Sequence, residues 1–148
     1  MIPEVVLPLG TLLTKLLRKS TVGGLLPITY QKNTESEGKK LLIDLPSGGT
    51  KRITVLLTIE GVANTIALFL IHVITAGTIL YYSVEKLNSD TAISSGAKFY
   101  IDKSSGVKLY GERDGCVFNV TVLQGNINYI PLTNVDSIPS SAESISII

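Results

Sequence analysis

The sequence predicts an all-β protein: an antiparallel β-sandwich or jelly roll behind a short N-terminal amphipathic helix. Three observations carry that expectation. From Pro27 onward the chain breaks into eight or nine short apolar runs separated by Gly-, Pro-, Asn- and Asp-bearing turns. In Cys116 to Leu123 the residues Cys116, Phe118, Val120 and Val122 share one parity while Asn119 and Thr121 take the other, the pattern of a strand with one buried and one wetter side. No second long helical pattern follows Gly24, so little but sheet is left to bury the apolar residues.

The first element is the helix. Leu9, Leu12, Leu13, Leu16 and Leu17 repeat at helical spacing on one face, and Lys15, Arg18 and Lys19 lie toward its C-terminal end, where cations suit the helix dipole. Gly23-Gly24 stops it. A helix of about ten residues is marginal alone, so this one must dock, either as a cap on its own domain or as an anchor that bundles with copies of itself or plugs into a larger assembly.

The expected strands follow as Ile28–Tyr30, Lys40–Leu45, Arg52–Ile59, Thr65–Ile74, Thr78–Leu87, Lys98–Ile101, Val107–Glu112 and Cys116–Leu123, with Asn128–Leu132 as a last one. Pro46-Ser47-Gly48-Gly49, Ala76-Gly77, Asp102 to Gly106 and Asp114-Gly115 supply the turns. The Ser-rich tail, Ser137 to Ser146, is expected to be loosely held. This divides the chain into an anchoring helix and linker at 1–26, a β-sandwich domain at 27–133 and a tail at 134–148.

The segment with the largest consequence runs 24 residues, from Gly61 to Val84, without a formal charge. Read as one helix it is long enough to cross a bilayer, which would make the chain a small membrane-anchored protein spanning through residues 61–84. Its richness in β-branched and aromatic residues favours strands instead, as does the period-two run Ile53, Val55, Leu57, Ile59 just before it. Asn64 and His72 would also lack partners in lipid. A membrane partner is therefore not expected.

Thirteen Lys plus Arg against twelve Asp plus Glu leave a formal net charge of +1, so no field gathers phosphate backbones and nucleic acid is not expected as a partner. Hydrophobic residues make up 45% of the chain and charged residues 17%, below the roughly 25% of an average soluble domain. That excess of apolar surface asks for a cover, and self-association supplies one.

Motifs for chemistry are scarce. His72 stands alone in the most apolar stretch and reads as a buried or interface side chain, not a base. Cys116, the single cysteine, cannot form an intramolecular disulfide and reads as a small core residue near a turn. Ser47-Gly48-Gly49-Thr50-Lys51 lacks phosphate-loop spacing and reads as a hairpin turn. Asp102, Glu112 and Asp114 could offer oxygen ligands to calcium but have no EF-hand spacing and read as solvated turn carboxylates. Asn119-Val120-Thr121 is formally a glycosylation sequon set in a strand. No catalytic residue, cofactor or metal is expected. Tyr82, Tyr100 and Tyr110 are candidate surface contacts, and Phe69, Ile71, His72 and Val73 a candidate subunit interface.

Tyr30-Gln31-Lys32, the strand RITVLLTIEG followed by TIALFLIHV, the entry Thr21-Val22-Gly23-Gly24-Leu25-Leu26-Pro27 and above all AKFYIDKSSGVKLYGERDGCVFNVTVLQG carry a family resemblance. Across about residues 21 to 133 the chain resembles the C-terminal β-sandwich modules of bacteriophage head and tail fibre proteins, which are themselves similar to tumour-necrosis-factor-like trimeric jelly rolls. It departs from long tail fibres in having no shaft. The resemblance implies a structural virion protein without enzymatic activity: a compact homotrimeric fibre or decoration protein on a capsid, collar or baseplate, contacting a host surface glycan or protein. A carbohydrate-binding module shares the sandwich and is the other reading besides the membrane anchor.

Overall fold

The computed structural model describes the backbone of residues 31–33 and residues 38–61, 66–88 and 96–148. The leucine stripe, the linker to Pro27 and the expected strand at Ile28–Tyr30 lie outside the described residues. Ten strands follow in order: β1 (Gln31–Asn33), β2 (Lys39–Leu45), β3 (Thr50–Glu60), β4 (Ile66–Ala76), β5 (Ile79–Lys86), β6 (Lys98–Asp102), β7 (Val107–Glu112), β8 (Val117–Gln124), β9 (Thr133–Asn134) and β10 (Glu143–Ile145). They form two five-stranded sheets, sheet A in the order β1-β8-β3-β4-β5 and sheet B in the order β10-β6-β7-β2-β9, with antiparallel pairing between the strands of each. The predicted all-β sandwich is the architecture found. β1 pairs with β8 and β2 with β7, as in a rolled-up hairpin, whereas β4 and β5 stay beside β3 in sheet A.

From Ile66 to Val84 the neutral stretch is two strands and the turn between them. β4 and β5 form a hairpin in which Ala76 pairs with Ile79, leaving Gly77 and Thr78 as a two-residue turn. Gly77 holds φ at 63° while Thr78 keeps an ordinary negative φ, the requirement of a type II′ turn for glycine at its first central position. No helix among the described residues is long and apolar enough to cross a membrane.

The core lies between the sheets. Ile53, Val55, Leu57 and Ile59 of β3, Ala67, Phe69, Ile71 and Val73 of β4, and Phe118, Val120 and Val122 of β8 face inward from sheet A. Leu42, Ile43, Leu45, Phe99, Ile101 and Leu109 meet them from sheet B. Phe69 and Phe99 touch edge to face, with ring centroids 5.0 Å apart and planes at 67°. Burying a side chain of this size stabilises by roughly 1.5–3 kcal/mol. Gly111, inward in β7, makes room for Leu42 and the Phe118 ring: a Cβ there would come within 2.9 Å of Leu42 Cδ1 and 3.2 Å of Phe118 Cε2.

Two expectations are corrected. Asn128–Leu132 is not a strand: Asn126 Oδ1 accepts the backbone N–H of Asn128 at 2.8 Å and caps a 3-10 turn over Ile127–Tyr129. The tail is not loosely held, because β10 pairs with β6 at the edge of sheet B and the chain then reaches the edge of sheet A. There Ile148 N–H donates to Val84 O at 3.0 Å, and Lys86 N–H donates to Ile148 O at 2.8 Å. Ile145 and Ile147 share the parity that packs on the core, so the β domain extends well past residue 133. Within β2 a register shift between Leu41 and Ile43 places both Leu42 and Ile43 inside.

Candidate functional site

The outward faces of the two sheets differ in kind. On sheet B, cross-strand pairing sets Lys39, Glu112 and Lys98 in one row and Asp44, Lys108 and Asp102 in another, so charges alternate in sign. Lys108 Nζ stands 3.6 Å from Asp44 Oδ1. The backbone N–H of Ser104 donates to Asp102 Oδ1 at 3.0 Å, and this bond, ahead of side-chain bonds from Ser104 and Ser141, holds the Asp102 carboxyl below its ordinary range. Ser141 thus ties the segment before β10 to this face.

Sheet A presents the opposite character. The outward parity of β4 is Ile66, Leu68, Leu70, His72, Ile74 and Ala76, flanked by Leu56 of β3 and by Ile79 and Tyr81 of β5. Leu56 is only 7% exposed, whereas Ile66, Ile79 and Tyr81 stand out at 38%, 53% and 66%. The charged side chains on β3, β4 and β5 of this face are Arg52, Glu60 and Glu85. His72 pairs across the strands with Thr54, and its Nδ1 lies 2.7 Å from Thr54 Oγ1. Burial, then the Arg52 guanidinium, push its imidazole below the ordinary histidine range, so at neutral pH it behaves as a polar uncharged group in an apolar stripe.

Of the expected interface set, only His72 belongs to this face. Phe69, Ile71 and Val73 are on the other parity of β4 and fully buried between the sheets, out of reach of a neighbouring subunit. The apolar outward residues Leu68, Leu70, Ile74 and Ile79 were not singled out in the sequence. Their signal was there: both parities of β4 are apolar, as a strand reads when both of its faces are covered.

The tyrosines do not form one platform. Tyr100 and Tyr110 are cross-strand partners on sheet B, while Tyr82 sits on β5 in sheet A. Tyr110 is only 6% exposed and is corrected from a surface contact to a covered ring; burial, then Asp102 and Asp44, raise its phenol above the ordinary range. Glu112 and Asp102 stand at opposite ends of the β6–β7 hairpin, so the calcium candidates are separated. Cys116 is buried in the core cluster.

At one end of the sandwich the β2–β3, β4–β5 and β6–β7 turns enclose an open cleft of about 280 Å³, lined by Pro46, Ser47, Gly48, Thr78, Lys103 and Val107 among others. Lys103 of its lining and Lys51 beside it both have partners. Lys51 Nζ donates to Gly48 O within its own turn, which is a crossover between the sheets and not the expected hairpin, since β2 lies in sheet B and β3 in sheet A; Lys103 Nζ lies 3.2 Å from Glu143 Oε2. Comparison with known proteins finds no matching family model, no matching curated protein and no matching solved structure.

Proposed function

We propose that this chain is a structural virion protein, a compact trimeric fibre or decoration protein seated on a capsid, collar or baseplate, with no catalytic role. The observation that supports an assembly role is the outer face of sheet A, where Leu68, Leu70 and Ile74 of β4 and Ile79 and Tyr81 of the edge strand β5 turn apolar surface outward. A lone sandwich gains nothing from such a face, since each Å² of apolar surface left in water forgoes roughly 25 cal/mol. Sheet B, whose rows of alternating charge suit water, is the natural outside of such an assembly. The virion setting comes from the sequence resemblance to phage fibre modules. In this reading the leucine-striped leader holds the chain to its neighbours, and the turns around the end cleft meet a host glycan or protein.

The test is the protein inventory of purified particles from the source of this sequence. Peptides of this chain are expected in a copy number divisible by three. Particles that assemble and infect without it would overturn the reading.

A further inference from the structure

We propose that the surface covering the outer face of sheet A is a second copy of this chain, set so that the Ile79–Tyr81 ridge of one copy lies on the Leu70–Ile74 floor of the next. This deepens the assembly reading above and rests on it.

The relief of the face suits such a contact. Tyr81 and Ile79, on β5, are the prominent side chains at 66% and 53% exposure, while Leu70 and Ile74, on the neighbouring β4, are half-buried. Ridge and floor are therefore side by side on one molecule, and a head-to-tail contact of ridge on floor closes into a ring when the rotation between copies permits. The ridge also lies at a sheet edge. Among the described residues, Ile147–Ile148 pair only with the Val84–Lys86 part of the outer side of β5, so the Ile79–Tyr82 part keeps that side open.

Charge argues for a copy of this chain over an unrelated partner. Arg52 shares a cross-strand row with Ile74 and Tyr81, whereas Glu60 shares one with Ile66 and Glu85 one with Leu70. None of the three makes an ion pair among the described residues. A face with unpaired charges of both signs around an apolar centre complements a second copy of itself; a strongly acidic or basic partner would meet repulsion from one sign.

The experiment is sedimentation equilibrium of the full chain, compared with the double variant Tyr81→Asp/Ile79→Asp, with Lys98→Glu on the outer face of sheet B, and with Leu12→Glu/Leu16→Glu in the leader. The β5 variant is expected to weaken self-association by at least about tenfold, with an unchanged strand-type circular dichroism spectrum and a cooperative melt. Lys98→Glu is expected to leave the mass unaltered. A monomeric wild-type chain, an oligomer indifferent to the β5 change, or one dissolved only by the leader change would each overturn the inference. A wild-type dimer dissociated by the β5 change upholds it while removing the trimeric part of the proposed function. A chain missing from particles that still associates through Tyr81 and Ile79 upholds it while removing the virion setting.

Discussion

Lys40 Nζ donates a hydrogen bond to Asn134 Oδ1 at 2.6 Å, joining β2 to β9 from inside the sandwich, where Lys40 has no solvent exposure. The same ammonium lies 5.6 Å from the centroid of the Phe118 ring in the opposite sheet. A charge so placed costs stability unless its partners stay in position. Asn134→Ala is expected to destabilise by about 1–3 kcal/mol, because it removes an acceptor from a buried donor. Lys40→Met, of similar length, is expected to cost less, since exposed Asn134 returns to water. Denaturant unfolding of both single variants and the double variant checks this; an Asn134→Ala protein as stable as the parent would refute it.

Gly106 and Gly77 hold nearly the same left-handed backbone, at φ 68° and 63°, but in different surroundings. A Cβ on Gly106 would sit 2.4 Å from Leu45 O, whereas one on Gly77 meets nothing within 4 Å. Gly106→Ala is therefore expected to cost about 3 kcal/mol and Gly77→Ala about 1 kcal/mol, the latter the backbone penalty alone. Thermal melts rank the two, and equal losses would show that contact with the Leu45 carbonyl has no energetic weight.

Deleting Glu143–Ile148 removes β10 from sheet B and the Val84 bridge from sheet A together. Stability is expected to fall by more than about 2 kcal/mol, given the apolar area that Ile145 and Ile147 cover. Hydrogen exchange gives a local signature: the Lys86 amide, bonded to Ile148 O, should lose protection. A truncated chain with parental stability and a slow Lys86 amide would contradict the bracing role.

Acid should weaken the fold in two steps. The His72 pKa is lowered in the folded protein, so the folded state binds fewer protons than the unfolded one; its contribution is present above the unfolded value and lost as pH falls through the folded one. Asp102, also lowered, contributes in the same sense at more acidic pH, above the unfolded carboxylate value and lost as pH drops through the folded one. His72→Gln should flatten the stability profile between about pH 7 and about pH 5, and Asp102→Asn should flatten it below about pH 4. Melts of both variants across that range decide it, a parental slope in either being the adverse result.

Much of the fold was legible because its strands keep simple grammar. The alternation of β3 and β8 named their inward residues, and the Gly-bearing turns marked four hairpin or crossover points correctly. Legibility failed where neighbours decided the outcome. The bulge in β2 shifts parity, and nothing in KKLLIDL announces that Lys40 turns inward toward Asn134, a residue 94 positions away. In the tail, serine content masked the alternation Glu143-Ser144-Ile145-Ser146-Ile147, whose isoleucines share a face. The outer face of sheet A was half legible: an uncharged stretch makes both parities of a strand apolar, but period two alone does not say which parity meets the other sheet. Phe69, Ile71 and Val73 took the core because sheet B packs on that side, which left Leu68, Leu70 and Ile74 facing out.

The strap that joins the edges of both sheets has a bearing on biosynthesis. Glu143–Ile148 leave the ribosome after β5 and β6, the strands they pair with. While the chain grows at about 5–20 residues per second, the rims of the nascent barrel-like stack stay open to pairing with neighbouring nascent chains. Closure waits for this segment, so the time that translation takes to reach it after β5 and β6 sets how long that hazard lasts.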